Sequence, residues 1–297
     1  MGGPVTPQGD VQVVDVGGRP VRLTHLDRVM YPSTGTTKGE VLHYVTQVAP
    51  ALLRQLRDRP VTRIRFTGGV DGETFFEKNL PASAPDWVRR QTLRAAPGAD
   101  DEGKELTLPF LDDLASLVWA TNQGALELHT PQWRVGPRGG VRHPDRLVID
   151  LDPGPPAGLD ACAEVALLVR ERLRADGLAC LPVTSGSKGM QLYAPLPGRR
   201  RVMEVRAYAR DVAHELAAAH PDLVVAIMRK ELRGGKVLLD WSQNHPAKTT
   251  ITPYSLRGRE RPSVAAPRRW DEIGPGLTQL GPDEVVRRLE EDGDPLA

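Results

Sequence analysis

With 297 residues, 40% of them hydrophobic, the chain can bury a large core, and its composition excludes disorder along its whole length. No apolar run is long enough to span a bilayer and no charged start precedes an apolar stretch, so the expectation is a cytoplasmic protein without membrane contact. The net charge of +1 excludes no class of partner, but basic residues gather over 199–210, 229–236 and 257–269, and acids over 100–105. A single basic run is ordinarily a solvated surface; three of them around an acidic motif favour a phosphate-bearing partner.

In chain order, residues 1–20 are rich in Gly, Pro and Val and read as a loose, flexible entry segment. Thr37 and Glu40 form a capping-box pattern ahead of Val41, Leu42, Val45, Val48, Leu52 and Leu56, which predicts a helix. Residues 61–67 and 73–78 are short strand candidates joined by a Gly-rich hairpin signal at 68–72. A helix over 112–122 leads into a strand at 126–129, and a strand at 147–152 stops hard at Pro153-Gly154. The spacing then predicts a helix over 160–174, strands at 181–184 and 190–193, and a helix over 202–219. Strands at 236–240 and 249–254 and a last helix over 282–291 complete the pattern. Cys162 and Cys180 read as core residues, and no paired-cysteine zinc module is present. The mixture predicts an α+β fold with mixed and antiparallel sheets in two intimately packed halves, about 21–140 and 141–297.

Asp150 and Asp152 stand two apart in an apolar strand, so both carboxylates project from one face, an arrangement that a divalent cation makes favourable. The same Asp-x-Asp-Pro-Gly string is also compatible with an ordinary turn. Asp240 ends a second apolar strand and adds the third acid expected of a two-metal phosphoryl-transfer site, although capping of the following turn accounts equally well for that residue alone. Ser185, Ser187 and Lys188 lie in a small-residue loop between two strands, which reads as a triphosphate cradle or a plain hairpin turn and does not match a Walker A loop. Gln243, Lys248 and Arg257 add donors around and beyond the third acid. Of the neighbours Phe75 and Phe76, alternation places one ring toward the core and frees the other to stack on a base, with Arg65 and Lys78 beside them; core packing of both is the plainer alternative.

Taken in order, several stretches resemble the polymerase domain of bacterial ATP-dependent DNA ligase D, of the archaeo-eukaryotic primase superfamily. They are Leu26 to Pro32, Thr34 to Gly39, Phe75 to Lys78, Leu126 to His129, Pro131 to Trp133, Asp150 to Gly154, Ser185 to Gly189, Asp240 to Asn244 and Pro253 to Arg257. The resemblance implies a primase-polymerase architecture with an RRM-like catalytic core. It implies a template-dependent nucleotidyltransferase that fills gaps and extends ends in non-homologous end joining, prefers ribonucleotides, and uses two Mn2+ (or Mg2+) ions held by Asp150, Asp152 and Asp240. Ser185, Ser187, Lys188, Gln191, Gln243, Lys248 and Arg257 would hold the incoming NTP or dNTP, with His129 near its sugar. Phe76 and Phe75 would meet the template base, and Arg28 and Lys38 the 5′-phosphate of a downstream strand. The implied partners are gapped or broken DNA, a Ku-type protein and an ATP-dependent ligase, placing the protein on the nucleoid. Three positions depart from the family: Gln191 where a histidine is usual, His25 where asparagine is frequent and Arg28 where lysine is common. No Lys-x-Asp-Gly adenylation motif occurs and the length leaves no room for a nuclease, so the expectation is a stand-alone polymerase that recruits its ligase. Two rival readings share these residues: a primase that starts chains without a primer, and a weakly catalytic module that bridges DNA ends.

Overall fold

The computed structural model describes residues 11–297. Its larger sheet has six strands in the order Val224–Val225, Val237–Asp240, Arg146–Pro153, Met190–Pro195, Leu181–Thr184 and Ala266–Pro267, antiparallel except for the first pair. Alternation along the central strand sends Leu147, Ile149 and Leu151 to one face, where they pack with Cys162, Val165 and Val169 of helix Leu159–Ala175 and with Val205 and Val212 of helix Val202–Ala219. Arg146, Val148 and Asp150 consequently face the other way, toward a second sheet.

That second sheet runs Thr250–Ile251, Ala125–Thr130, Thr62–Phe66, Thr74–Glu77. Helices Lys38–Leu56 and Leu114–Asn122 contribute to the core that backs it, through Val41, Val48, Leu52, Leu117 and Trp119. The expected N-terminal cap forms, with Thr37 and Glu40 exchanging hydrogen bonds, and the second helix is capped by Asp113, which accepts from Ser116 N at 2.8 Å. A small cluster of Val148, Val183, Tyr193, Ile251 and Ala265 joins the facing surfaces of the two sheets. The result is the expected α+β fold, and Cys162 and Cys180 are free and buried.

Two expectations change, and one hairpin has no counterpart in the sequence reading. The loose segment over 1–20 lies outside the described residues as far as position 10. From there Val11–Val16 pairs with Arg19–Thr24 around Gly17-Gly18, both at positive φ as a two-residue hairpin loop requires, and Val14, Val16 and Leu23 rest on the core. A further hairpin, Arg90–Arg94 with Glu105–Pro109, carries the acidic run at its tip. The strand expected over 249–254 pairs only at Thr250–Ile251, because Pro253 has no N–H to donate and Tyr254 turns to φ 73°. Tyr44 holds that turn by donating its hydroxyl to Tyr254 O at 2.8 Å.

Candidate active site

The register of the larger sheet sets Asp150 directly opposite Asp240 on one side and Gln191 on the other. Directly paired residues share a face, so the two carboxylates and the amide form one row, with Asp152 two residues further along. Burial, and then the charge of Asp240, push the Asp150 carboxyl up to about 7; a hydrogen bond from Gln191 opposes the shift and Asp152 adds to it.

The three acids are not closed into a cage. Among the described residues no group of three ligating side chains is gathered tightly enough to hold a metal, and Asp240 and Asp152 are engaged with other partners. Asp240 Oδ1 accepts from Ser242 N at 3.0 Å and Ser242 Oγ at 2.6 Å, and Oδ2 from Gln243 Nε2 at 2.9 Å, so the turn-capping alternative is also realised. Exposed Asp152 pairs with Arg233 Nη1 at 3.2 Å. The donor set fits a hard divalent cation, since it consists of carboxylate oxygens whose mutual repulsion a cation would relieve. Gly154 lets the Arg233 segment lie against the strand end: a Cβ there would sit 2.0 Å from Arg233 O.

Across the cleft, Glu127 and His129 share a face of strand Ala125–Thr130, opposite Ile64 and Thr62. Glu127, 5% exposed, is the hub that the sequence did not reveal. Its Oε1 accepts from Gly258 N at 3.0 Å; its Oε2 lies 3.0 Å from His129 Nε2 and 3.2 Å from Arg257 Nη1. Burial raises the Glu127 carboxyl, but these three donors outweigh it and hold it below the ordinary range, while burial lowers the Arg257 guanidinium. Tyr31 donates to Arg257 O at 2.9 Å.

The remaining residues divide clearly. Phe76 pairs with Ile64 and so shares the face of Glu127, and its ring is 59% exposed; Lys78 lies over it at 5.9 Å and reaches Asp101 at 3.5 Å. Phe75 and Arg65 occupy the opposite face, where Arg65 is tied to Glu77 and to Gln123 O. Lys188 and Lys248 are exposed and make no ion pair among the described residues. The amides of Ser185, Gly186 and Ser187 already donate, to Gly189 O, Gln279 Oε1 and Ser185 Oγ, so the loop offers an anion chiefly its hydroxyls and Lys188. Gln191 is buried; its Oε1 accepts from Tyr193 at 2.7 Å, which directs its amide nitrogen at Asp150. Some way off, Lys38 is 4% exposed and donates to Thr24 O. Burial, and then neighbouring Arg28, lower its ammonium to about 8. Neither cation pairs with a carboxylate among the described residues.

Residues 37–296 match the family model of the LigD primase-polymerase domain. The chain belongs to that family. The multifunctional non-homologous end joining DNA repair protein LigD of Mycobacterium tuberculosis is 47% identical over 282 residues, and LigD of Mycolicibacterium smegmatis 47% over 280, each covering 93% of this chain and 36% of the relative. The bifunctional LigD of Bacillus subtilis is 33% identical over 279 residues, 43% of its length. The chain therefore spans little more than a third of the mycobacterial LigD proteins it matches. Among solved structures, the polymerase domain of Mycobacterium tuberculosis ligase D in complex with DNA superposes with a TM-score of 0.87 at 47% identity, over 93% of this chain and 96% of that one.

Proposed function

We propose that this LigD-family chain is a template-directed nucleotidyltransferase that fills gaps and extends broken ends in bacterial non-homologous end joining. The observation that carries it is the row formed by Asp150 and Asp240 across two antiparallel strands, with Asp152 beside it, opposite the His129–Glu127–Arg257 constellation. Asp150, Asp152 and Asp240 would hold two divalent cations, Mn2+ or Mg2+. When bound, these supply charge for deprotonating the primer 3′-hydroxyl and for stabilising the pyrophosphate that leaves. Lys188, Ser185 and Ser187 contact the triphosphate from the loop, and Arg257 reaches it from the other side of the cleft. Glu127 orients Arg257 and His129, the latter toward the nucleotide sugar. Phe76 offers its exposed face to the templating base.

Gln191 takes a different part from the one its position suggested. Its amide is directed at Asp150 rather than free for phosphate, so it tunes the metal-binding acid. Arg28 and Lys38 form an unneutralised pair suited to a strand 5′-phosphate, which would direct the enzyme to gaps. Gapped or broken DNA, ribonucleotides in preference to deoxyribonucleotides, a Ku-type protein and a ligase are the corresponding partners. Among the described residues no helix is long and apolar enough to cross a membrane. A nucleoid-associated place in the cytoplasm accompanies the proposed role.

The test is primer extension on a gapped duplex with a downstream 5′-phosphate, in manganese, with ribo- or deoxyribonucleotides. Templated addition that disappears in Asp152→Asn, with gap binding retained, is the expected result. Extension by that variant would overturn the proposal.

A further inference from the structure

The face of the large sheet that carries Asp150 carries a second charged site at its other end. Arg146 lies four residues earlier on the same strand and face, ~13 Å away by the rise of an extended chain. There a cavity of about 420 Å³ is lined by Arg57, Arg59, Arg134 and Arg146, with Asp145 and Tyr193 and a wall from Pro295 to Ala297. Arg54, at the rim, is paired with Asp294 at 2.9 Å.

Four guanidiniums thus face one acidic side chain in the lining, Asp145, which binds Arg59 at 2.6 Å and Arg134 at 2.7 Å. Among the described residues no other carboxylate lies within ion-pair distance of Arg57, Arg59 or Arg146. Arg59 is 2% and Arg146 6% exposed, burial that such groups rarely tolerate without full compensation. Compensation is incomplete: Arg59 Nε and Arg146 Nη1 have no hydrogen-bond partner. Both side chains are nevertheless fixed. Arg59 donates to Pro131 O at 3.2 Å, and Arg146 donates through Nε to Gln132 at 2.7 Å and through Nη2 to Thr130 at 2.8 Å, with its guanidinium 5.2 Å from the Tyr193 ring. Burial, and next the charge of Arg146, lower the Arg59 guanidinium to about 9. Rigid donors with unspent hydrogens and an excess of positive charge are the requirements for binding a compact, multiply charged anion.

We propose that this cavity is a phosphoanion site, separate from the nucleotide cleft, that takes a free phosphate or pyrophosphate. Its innermost arginines are too deep for a duplex backbone to reach, which favours the free ion over a strand. The inference is independent of the polymerase reading.

The test is calorimetric titration of the full chain with inorganic phosphate and pyrophosphate in chelator, without divalent cations. The wild type is compared with Arg57→Gln/Arg134→Gln and with Lys188→Ala, which weakens the loop beside the catalytic acids. Binding that falls at least tenfold in the double variant and persists in Lys188→Ala is expected. Equal binding by wild type and double variant, or its abolition by Lys188→Ala, overturns the proposal. Arg59→Lys, which keeps the buried charge and changes the donor geometry, should also weaken binding and guards against a folding defect, as does the unliganded circular dichroism of each variant. Single strands with and without a 5′-phosphate form the last arm. Indifference of both to the double substitution supports a free ion. Loss of affinity by the phosphorylated strand alone would overturn the free-ion assignment and give the site to a strand terminus.

Discussion

Replacing Glu127 by glutamine keeps the shape of the hub and removes its charge. In the free protein the change strips the counter-charge from Arg257, whose side chain is only 14% exposed, and from the contact with His129. Removing one partner of a buried ion pair costs on the order of 3–5 kcal/mol, and the retained amide oxygen keeps some acceptor capacity, so about 3 kcal/mol is expected. For a chain of this size that is a fall in Tm of about 5 °C. With a nucleoside triphosphate and metal bound, Arg257 gains phosphate oxygens as a replacement partner, and the deficit should shrink to about 1 kcal/mol. The assay is thermal or urea unfolding of wild type and Glu127→Gln, each with and without saturating nucleotide. An equal deficit in both conditions would show that Glu127 has a purely structural role, and no deficit in either would refute the description of the hub.

Three further predictions rest on other features. Since the folded Asp150 carboxyl lies near 7, above the ordinary aspartate value, the folded chain holds an extra proton between about pH 4 and 7; metal-free stability therefore declines as pH rises through that window. A cation must displace that proton, so manganese affinity measured by titration should rise up to about tenfold per unit below pH 7 and level off above it, and Gln191→Leu should move the levelling point upward. Lys38 behaves in the opposite sense: its folded value of about 8 lies below that of the unfolded chain, so stability rises with pH from about 8 to 10.5. The folded chain loses the Lys38 charge around pH 8 while Arg28 keeps its own, so the affinity gained from a 5′-phosphate on gapped DNA should be clear at pH 7 and weaker at pH 9.5. Gly154→Ala places a Cβ against Arg233 O and should destabilise the protein by about 2 kcal/mol in chemical unfolding, as overpacking does.

Much of this architecture was legible because it rests on periodicity. The helix at Lys38–Leu56 follows from its capping box and apolar stripe, and the row of acids from the spacing of Asp150 and Asp152 plus a strand ending in Asp240. What the sequence withholds is which strand lies opposite which. Glu127 sits in plain alternation with His129, and only the return of the chain at Gly258 and Arg257 makes it a hub. Alternation separated Phe75 from Phe76 without saying which ring meets the cleft; pairing of Phe76 with Ile64, which in turn faces Glu127, decides it. The hairpin Arg90–Arg94/Glu105–Pro109 escaped notice because its first strand is polar and alternates only between exposed and half-exposed positions. The arginine cavity collects residues 54–59, 134, 145–146 and 295–297, too dispersed for any motif to signal.

The opposition of Asp150 and Asp240 also bears on how the gene can change length. A strand has only two faces, so one residue inserted between Leu239 and Asp240 would either turn Asp240 into the helix-backed core or, if Asp240 keeps its place, carry Val237 and Leu239 out into the cleft. The same insertion at Gly234-Gly235, a few positions upstream, would only lengthen a turn. Two neighbouring stretches of one coding sequence are thus under opposite constraints: the first tolerates substitutions that keep its alternation but no frame-preserving insertion, the second the reverse. Families that conserve this site should vary in length between helix Val202–Ala219 and strand Val237–Asp240, and stay fixed in length within the strand.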